Sequence, residues 1–380
     1  MKSIMQKDLW SITSFLENKN YKFNKENILT QLPEKFIDEA IKAISSWDNY
    51  APTPLVKLNK LNDELKFKNI YYKDEDKRFD LKSFKALGGA FAVYKIASEK
   101  KNITVSTATA GNHGRSVAWG AQRLGLKCKI FISEFVSESR AEAMRKLDAE
   151  VIRVKGNYDN SLKECIKQSK ENNWEIVQDV SWEGYKEVPK LIMAGYTIMI
   201  KEILDEVKSN SISHVFLQAG VGGMAAAMIA GFAKLSQNIP KFIIVEPENA
   251  DCVFQSIKNN KPTSVDIKKE TVMGGMSCGD VSSIAWEILK NSSNYCLTIS
   301  DEAISTTVAL LAEKRLSDEK IIAGECAVPG IIALISSFNN KEYLDKLELN
   351  EQSNVLLFGS EGLTDSAMYQ KLLSDGLQKI

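Results

Sequence analysis

The sequence predicts an α/β fold built on parallel sheets, and three observations predict it. Short apolar runs of strand length alternate with stretches of helical length through most of the 380 residues. That βαβα rhythm needs helices on both faces of a sheet. The turns that lead from strand to helix are glycine-rich or polar, as at Gly220-Val221-Gly222-Gly223-Met224.

In order, residues 1–50 read as a helical lead-in, from the spacing of Phe36, Ile37, Ala40, Ile41 and Ile44. Ala51-Pro52-Thr53-Pro54-Leu55 is rigid and extended, since proline biases the residue before it that way. Asn69 to Lys73 is a short strand, and a helix runs from about Phe84 to about Ser98. Strands follow at 103–108, 128–132, 150–154 and 174–178, with helices at 112–124, 137–147 and 158–171 between them. Pro189 suits a first helical turn and starts a long helix. A second alternating set has strands at 215–218, 242–245 and 355–358 and helices near 225–234, 284–289, 301–315 and 325–338. There is no internal repeat and no low-complexity linker, so the domain boundary lies inside the fold. The expected division is a large domain of residues 1–84 and 190–380, with a small α/β domain, 85–189, inserted in it.

Composition narrows the function. Lys+Arg and Asp+Glu number 49 each, which gives no overall basic footprint for nucleic acid. No apolar run reaches the roughly 20 residues that span a bilayer. Met1 to Asp8 lacks the apolar core of a signal peptide. Six cysteines without C-x-x-C spacing suit a reducing cytoplasm, with Cys252 and Cys278 able to pair only if the fold joins them. Two histidines, His113 and His214, make a histidine-based metal site an unlikely expectation.

The chemistry centres on Ser83-Phe84-Lys85. Ser83 reads as a helix N-cap, which puts Lys85 in the first turn. A cation is disfavoured there by the helix dipole, and a lysine that forms an imine escapes the penalty. A solvated surface lysine is the plain alternative. Three turns stand at strand ends, where ligands bind in open parallel sheets. The loop Gly220, Val221, Gly222, Gly223, Met224 can bring backbone N–H groups to a phosphate. It is neither a P-loop nor G-x-G-x-x-G, because Ala225 stands where a third glycine would be. Thr109, Ala110, Gly111, Asn112 and His113 form a second nest, suited to a carboxylate, with Asn112 able to reach a phenolic oxygen. Ser360 can offer one hydrogen bond to a ring nitrogen. An imine-forming lysine, a phosphate nest, a carboxylate nest and that hydroxyl together describe pyridoxal 5′-phosphate.

On these residues the chain resembles the fold-type II pyridoxal-phosphate enzymes, the tryptophan synthase β-like group. Within them it is most similar to the 2,3-diaminopropionate ammonia-lyases. The resemblance rests on Lys77-Arg78-Phe79, Ser83 to Gly89, Gly111 to Arg115, Val177-Gln178-Asp179, Trp182 to Tyr185, Gln218 to Gly222 and Gly274 to Gly279. It implies two doubly wound parallel-sheet domains with the cofactor between them, and a homodimer acting on a small amino acid without nucleic acid or membrane. It implies Lys85 as the Schiff-base lysine and base, the 220–224 loop on the phosphate, Asn112 on the ring's 3′ oxygen and Ser360 at the pyridine nitrogen. Asp179 is the candidate for holding the substrate's β-ammonium; the alternative for a strand-end aspartate is a turn cap. Trp182 and Tyr185 line the entrance or pack the core, and Glu325 approaches the ligand or lies exposed.

The expected reaction is α,β-elimination of ammonia from 2,3-diaminopropionate, giving pyruvate and ammonia. The chain departs from the resemblance at Ala110, where an aspartate is expected, and the segment from Lys85 to Gly111 is shorter. Loss of that carboxylate favours the L-isomer. A serine/threonine or 3-hydroxyaspartate dehydratase of the same fold is the alternative, and a non-catalytic binder is a further one.

Overall fold

A computed structural model describes residues 8–207 and 212–380. Met1–Lys7, most of the stretch without a signal-peptide core, lie outside them. Eleven strands occur among the described residues: β1 (Ile12–Glu17), β2 (Leu55–Lys57), β3 (Asn69–Asp74), β4 (Thr104–Ala108), β5 (Lys127–Ser133), β6 (Glu150–Val154), β7 (Glu175–Ile176), β8 (His214–Gln218), β9 (Lys241–Pro247), β10 (Tyr295–Ile299) and β11 (Asn354–Gly359). The chain divides into two compact units. One comprises 1–31, 52–77 and 199–380; the other comprises 32–51 and 78–198. The expected inserted segment, 85–189, falls in the second unit, which also takes in 32–51, 78–84 and 190–198.

The first unit holds a seven-stranded sheet in the order β1-β10-β9-β8-β11-β3-β2. Its inner strands are parallel, and β1 and β2 close the two edges antiparallel. The inner strands β8 and β11 are buried at every position, as strands covered on both faces must be. β1 corrects the expected helical lead-in. Only one edge of β1 is paired, and its half-buried, partly polar sequence hid it from a pattern search. The lead-in is helical only at Lys25–Gln31 and Glu34–Ser45, where Ile37, Ala40 and Ile44 are buried as expected.

The second unit holds a parallel sheet in the order β6-β5-β4-β7. Both faces are covered. Ala108 and Phe131 pack with Cys165 of helix Tyr158–Asn172. One residue along each strand the pleat turns the other way, and there Ile130 meets Gly114 of helix Asn112–Arg123. β7 is shorter than the sequence predicts, because side chains take over its role, as described below. The expected long helix from Pro189 is two, Glu187–Tyr196 and Ile198–Val207.

Helix Lys85–Glu99 begins at Lys85. Ala86-Leu87-Gly88-Gly89-Ala90 follow, all buried. A Cβ at Gly88 would overlap Tyr196 Cε1 and the Ile192 carbonyl, and one at Gly89 would lie 2.5 Å from Ser116 Oγ. The two glycines therefore let helices Asn112–Arg123 and Glu187–Tyr196 close directly onto the turn after Lys85. Gly88→Ala should cost about 1–3 kcal/mol of stability through overpacking, seen as a lower denaturation midpoint. Gly274→Ala, whose added Cβ meets nothing within 4 Å, should stay within about 0.5 kcal/mol.

Candidate active site

In the second unit, Lys85, Asp179, His113 and Tyr196 form one cluster. Lys85 Nζ is ion-paired and hydrogen-bonded to Asp179 Oδ2. The Lys85 side chain stays 26% exposed and lies over the rings of Phe84 and Tyr196, at 5.4 and 5.8 Å. Phe84, not Ser83, is the residue that flanks the helix. Ser83 Oγ instead accepts from the Lys85 N–H at 3.3 Å. Burial opposes ionisation of Asp179, but His113 and Lys85 outweigh it and hold its carboxyl well below the ordinary range. Burial and the Lys85 charge lower the His113 pKa, against the pull of Asp179.

Asp179 is held by its neighbours in sequence. Gln178 is buried. Its amide oxygen accepts from Thr107 Oγ1 at 2.9 Å and Ala108 N at 3.1 Å. Its amide nitrogen donates to Ala108 O at 3.0 Å and to the Tyr158 hydroxyl at 2.7 Å. The Tyr185 hydroxyl donates to Ile176 O at 2.8 Å and accepts from Gln178 N at 2.9 Å. Tyr185 stacks on Trp182 at 4.2 Å between centroids. These side chains replace ladder bonds that a longer β7 would make, and they fix the strand end that carries the carboxylate. Trp182 and Tyr185 thus brace the site. Burial pushes the Tyr185 phenol far up, which keeps it a neutral donor.

The 109–113 turn is differently arranged from the expected five-residue nest. Thr109 Oγ1 accepts from Gly111 N at 3.0 Å and Gly114 N at 3.2 Å, so these groups satisfy one another. Asn112 begins helix Asn112–Arg123. The His113 ring turns inward, with Nε2 2.8 Å from Val177 O. Arg140 donates from Nη1 to Ala110 O at 3.2 Å. Nothing in the local pattern announced that contact, because it joins two separate turns.

In the first unit, Gly222 has φ +87°, a left-handed conformation that favours glycine. Helix Gly223–Leu235 follows without a side-chain cap, so its leading N–H groups suit an anion. Val221 O accepts from Ser282 N at 2.9 Å, and Ala219 N donates to Val245 O at 3.0 Å, which pins the loop from both sides. Ser360 is buried and donates to Cys326 O at 2.9 Å. The same carbonyl accepts from Gln218 Nε2 at 2.9 Å. Ser360 can therefore turn its proton to another acceptor while Cys326 O keeps Gln218. Glu325 is buried beside Cys326 and Glu361 rather than exposed. All six cysteines are thiols, Cys252 and Cys278 included, and Cys252 Sγ donates to Gly220 O at 3.5 Å.

A family profile described as pyridoxal-phosphate dependent enzyme matches residues 47–359. The chain belongs to that family. It is 34% identical to the diaminopropionate ammonia-lyase of Escherichia coli K12 over 352 residues, covering 86% of this chain and 88% of that protein. Identity to the diaminopropionate ammonia-lyase of Salmonella typhimurium is 34% over 360 residues, covering 86% and 89%. The crystal structure of the Escherichia coli ammonia-lyase in complex with D-serine superposes with TM-score 0.89 at 30% identity, over 97% of this chain and 99% of that one. A threonine deaminase of Solanum lycopersicum, 21% identical with TM-score 0.79 over 96% and 97%, shares the fold. The family fixes the cofactor as pyridoxal phosphate, and the ammonia-lyase relatives give the reaction class, a carbon–nitrogen lyase.

Tyr185→Phe removes a hydroxyl that serves two buried backbone groups. It should cost about 1–3 kcal/mol in stability and raise KM by loosening the strand end that carries Asp179, as calorimetry and steady-state kinetics would measure.

Proposed function

We propose that this enzyme eliminates ammonia from L-2,3-diaminopropionate, giving pyruvate and two ammonia. The observation that carries the reading is the anionic Asp179 carboxylate in contact with the Lys85 amine. A carboxylate that is already held ionised suits a cationic β-substituent. It suits a neutral hydroxyl less well, because a departing hydroxyl needs a proton that such a group does not carry.

The residues fit the cofactor. The 220–224 backbone, with Gly222 in a glycine conformation and an uncapped helix behind it, would hold the phosphate. Ser360, whose proton can leave Cys326 O, would serve the ring nitrogen, and Asn112 would meet the 3′ oxygen. Lys85 would carry the group covalently. When bound, pyridoxal phosphate accepts the electron pair released at the substrate's α carbon. The rest belongs to the chain. The Lys85 amine is a base only when it is neutral, so it must first leave Asp179 and give its ammonium proton to solvent. The substrate's β-ammonium takes its place on the carboxylate. Lys85 then removes the α-proton, the Cβ–N bond breaks, and the nitrogen leaves with the bonding pair as ammonia. The released three-carbon enamine takes up water to give pyruvate and the second ammonia.

Ala110 supplies no carboxylate to act on a substrate of opposite hand, which favours the L-isomer. Purified protein should release pyruvate from L-2,3-diaminopropionate far faster than from the D-isomer or L-serine, or than it releases 2-oxobutanoate from L-threonine. Fast hydroxyamino-acid turnover with none on diaminopropionate overturns the reading. Ala110→Asp should raise turnover of the D-isomer relative to the L-isomer.

Asp179→Asn should lower kcat/KM for diaminopropionate by about 10- to 100-fold, the worth of a charged hydrogen bond. The pH sign follows from the depressed pKa. The carboxylate is charged above the ordinary range and loses its charge only as pH falls through its lower folded value. Asp179 therefore adds no acid limb to the rate profile between about pH 5 and 9.

A further inference from the structure

One buried group has no task in this mechanism. His113 is 5% exposed, and its Nε2 lies 2.8 Å from the Val177 carbonyl oxygen. A carbonyl only accepts, so Nε2 carries a proton and donates it. In the neutral ring, Nδ1 is then a bare lone pair. It has no hydrogen-bond partner and lies 3.8 Å from Asp179 Oδ2. A lone pair set beside a buried carboxylate is unfavourable, and a proton on that nitrogen turns the same contact into an ion pair. The charged groups that face the ring are Asp179, beyond β7, and Lys85, at the start of its helix. Tyr185 and Tyr196 also feel the Asp179 charge, and burial keeps both phenols neutral.

We propose that His113 is a positioning residue acting through Asp179: Nδ1 takes a proton from solvent when Lys85 is drawn off the carboxylate, and returns it when a cationic substrate group arrives. Asp179 then faces one cation at every stage. No bond other than N–H is made or broken, and one proton moves each way. The arrangement keeps the carboxylate anionic and in place while the lysine is occupied elsewhere. It also makes a cationic substituent the group that best displaces the stored proton. The inference deepens the reading of Asp179 as the ammonium site and rests on it.

The chain has only two histidines, His113 and His214, so histidine-labelled NMR of the cofactor-free protein resolves the question. His113→Asn identifies the His113 signals by their loss. In the wild type, His113 should be the Nε2–H tautomer and titrate below the ordinary value of about 6.5. In Lys85→Ala, which leaves Asp179 without its lysine, the midpoint should rise by about one unit or more. Adding Asp179→Asn to Lys85→Ala should bring it back down. An unchanged midpoint in Lys85→Ala, or a ring protonated at Nδ1 with Nε2 bare, overturns the proposal. A histidine that does not share the field of Asp179 would show no such reciprocal movement. None of these measurements uses substrate, so a failed substrate screen would leave their outcome readable, and their failure would leave the lyase reading standing.

Discussion

A buried carboxylate must face a cation, and that requirement organises the second unit. Asp179 is 14% exposed at a strand end that has only two residues of regular ladder before it. Burial alone would keep it protonated. The Lys85 ammonium, paired with it directly, makes the anion the stable form. The same pairing holds Lys85 as an ammonium, and therefore inert as a base or nucleophile, until something else satisfies the carboxylate. The charge states of the amine and the carboxylate are coupled through one contact.

A second lysine in the chain shows what an unreactive pair looks like. Lys73, at the end of β3, is 1% exposed and 2.6 Å from Glu202 Oε2. It also donates to Thr53 O at 2.7 Å, while Thr53 Oγ1 donates to Glu75 Oε1 at 2.6 Å. Every partner there is protein and buried, and breaking such a pair leaves an uncompensated charge. Lys85 differs in being partly open and in lying over aromatic faces, so a small molecule can reach it and replace its partner. The burial of the two ammonium groups, more than their sequence context, distinguishes structure from chemistry.

The sequence made the parallel sheets legible because their strands are continuous apolar runs bounded by turns. Val215 to Gln218 and Val355 to Phe358 needed no tertiary information. β1 was illegible because an antiparallel edge strand is specified by its neighbour, Tyr295–Ile299, nearly 280 residues away. At the site, Lys85 and the 220–224 loop announce themselves locally, one by its place before two glycines and the other by glycine density. Asp179 could be named, but the reason for its state could not. His113 and Lys85 are brought to it by helix packing that depends on Gly88, Gly89 and Tyr196. The expected five-residue carboxylate nest was read as a uniform row of donors. In the structure Thr109 consumes one of them, the Gly111 N–H, together with that of Gly114 just beyond, a competition that only the folded turn reveals.

The turn at 109–113 also bears on substrate charge. The Arg140 guanidinium donates to the carbonyl of residue 110. With alanine there, the guanidinium's positive field is not balanced from position 110. The same unit thus sets a guanidinium on the 109–113 turn and a carboxylate, Asp179, just beyond β7. A substrate with a β-ammonium presents a second cation, which a hydroxyamino acid, with its one ammonium on the α carbon, lacks. Electrostatic complementarity of this kind acts mainly through discrimination between ligands of similar size. On the proposed reading, the charge on the β-substituent, rather than its bulk, is what distinguishes the two kinds of substrate.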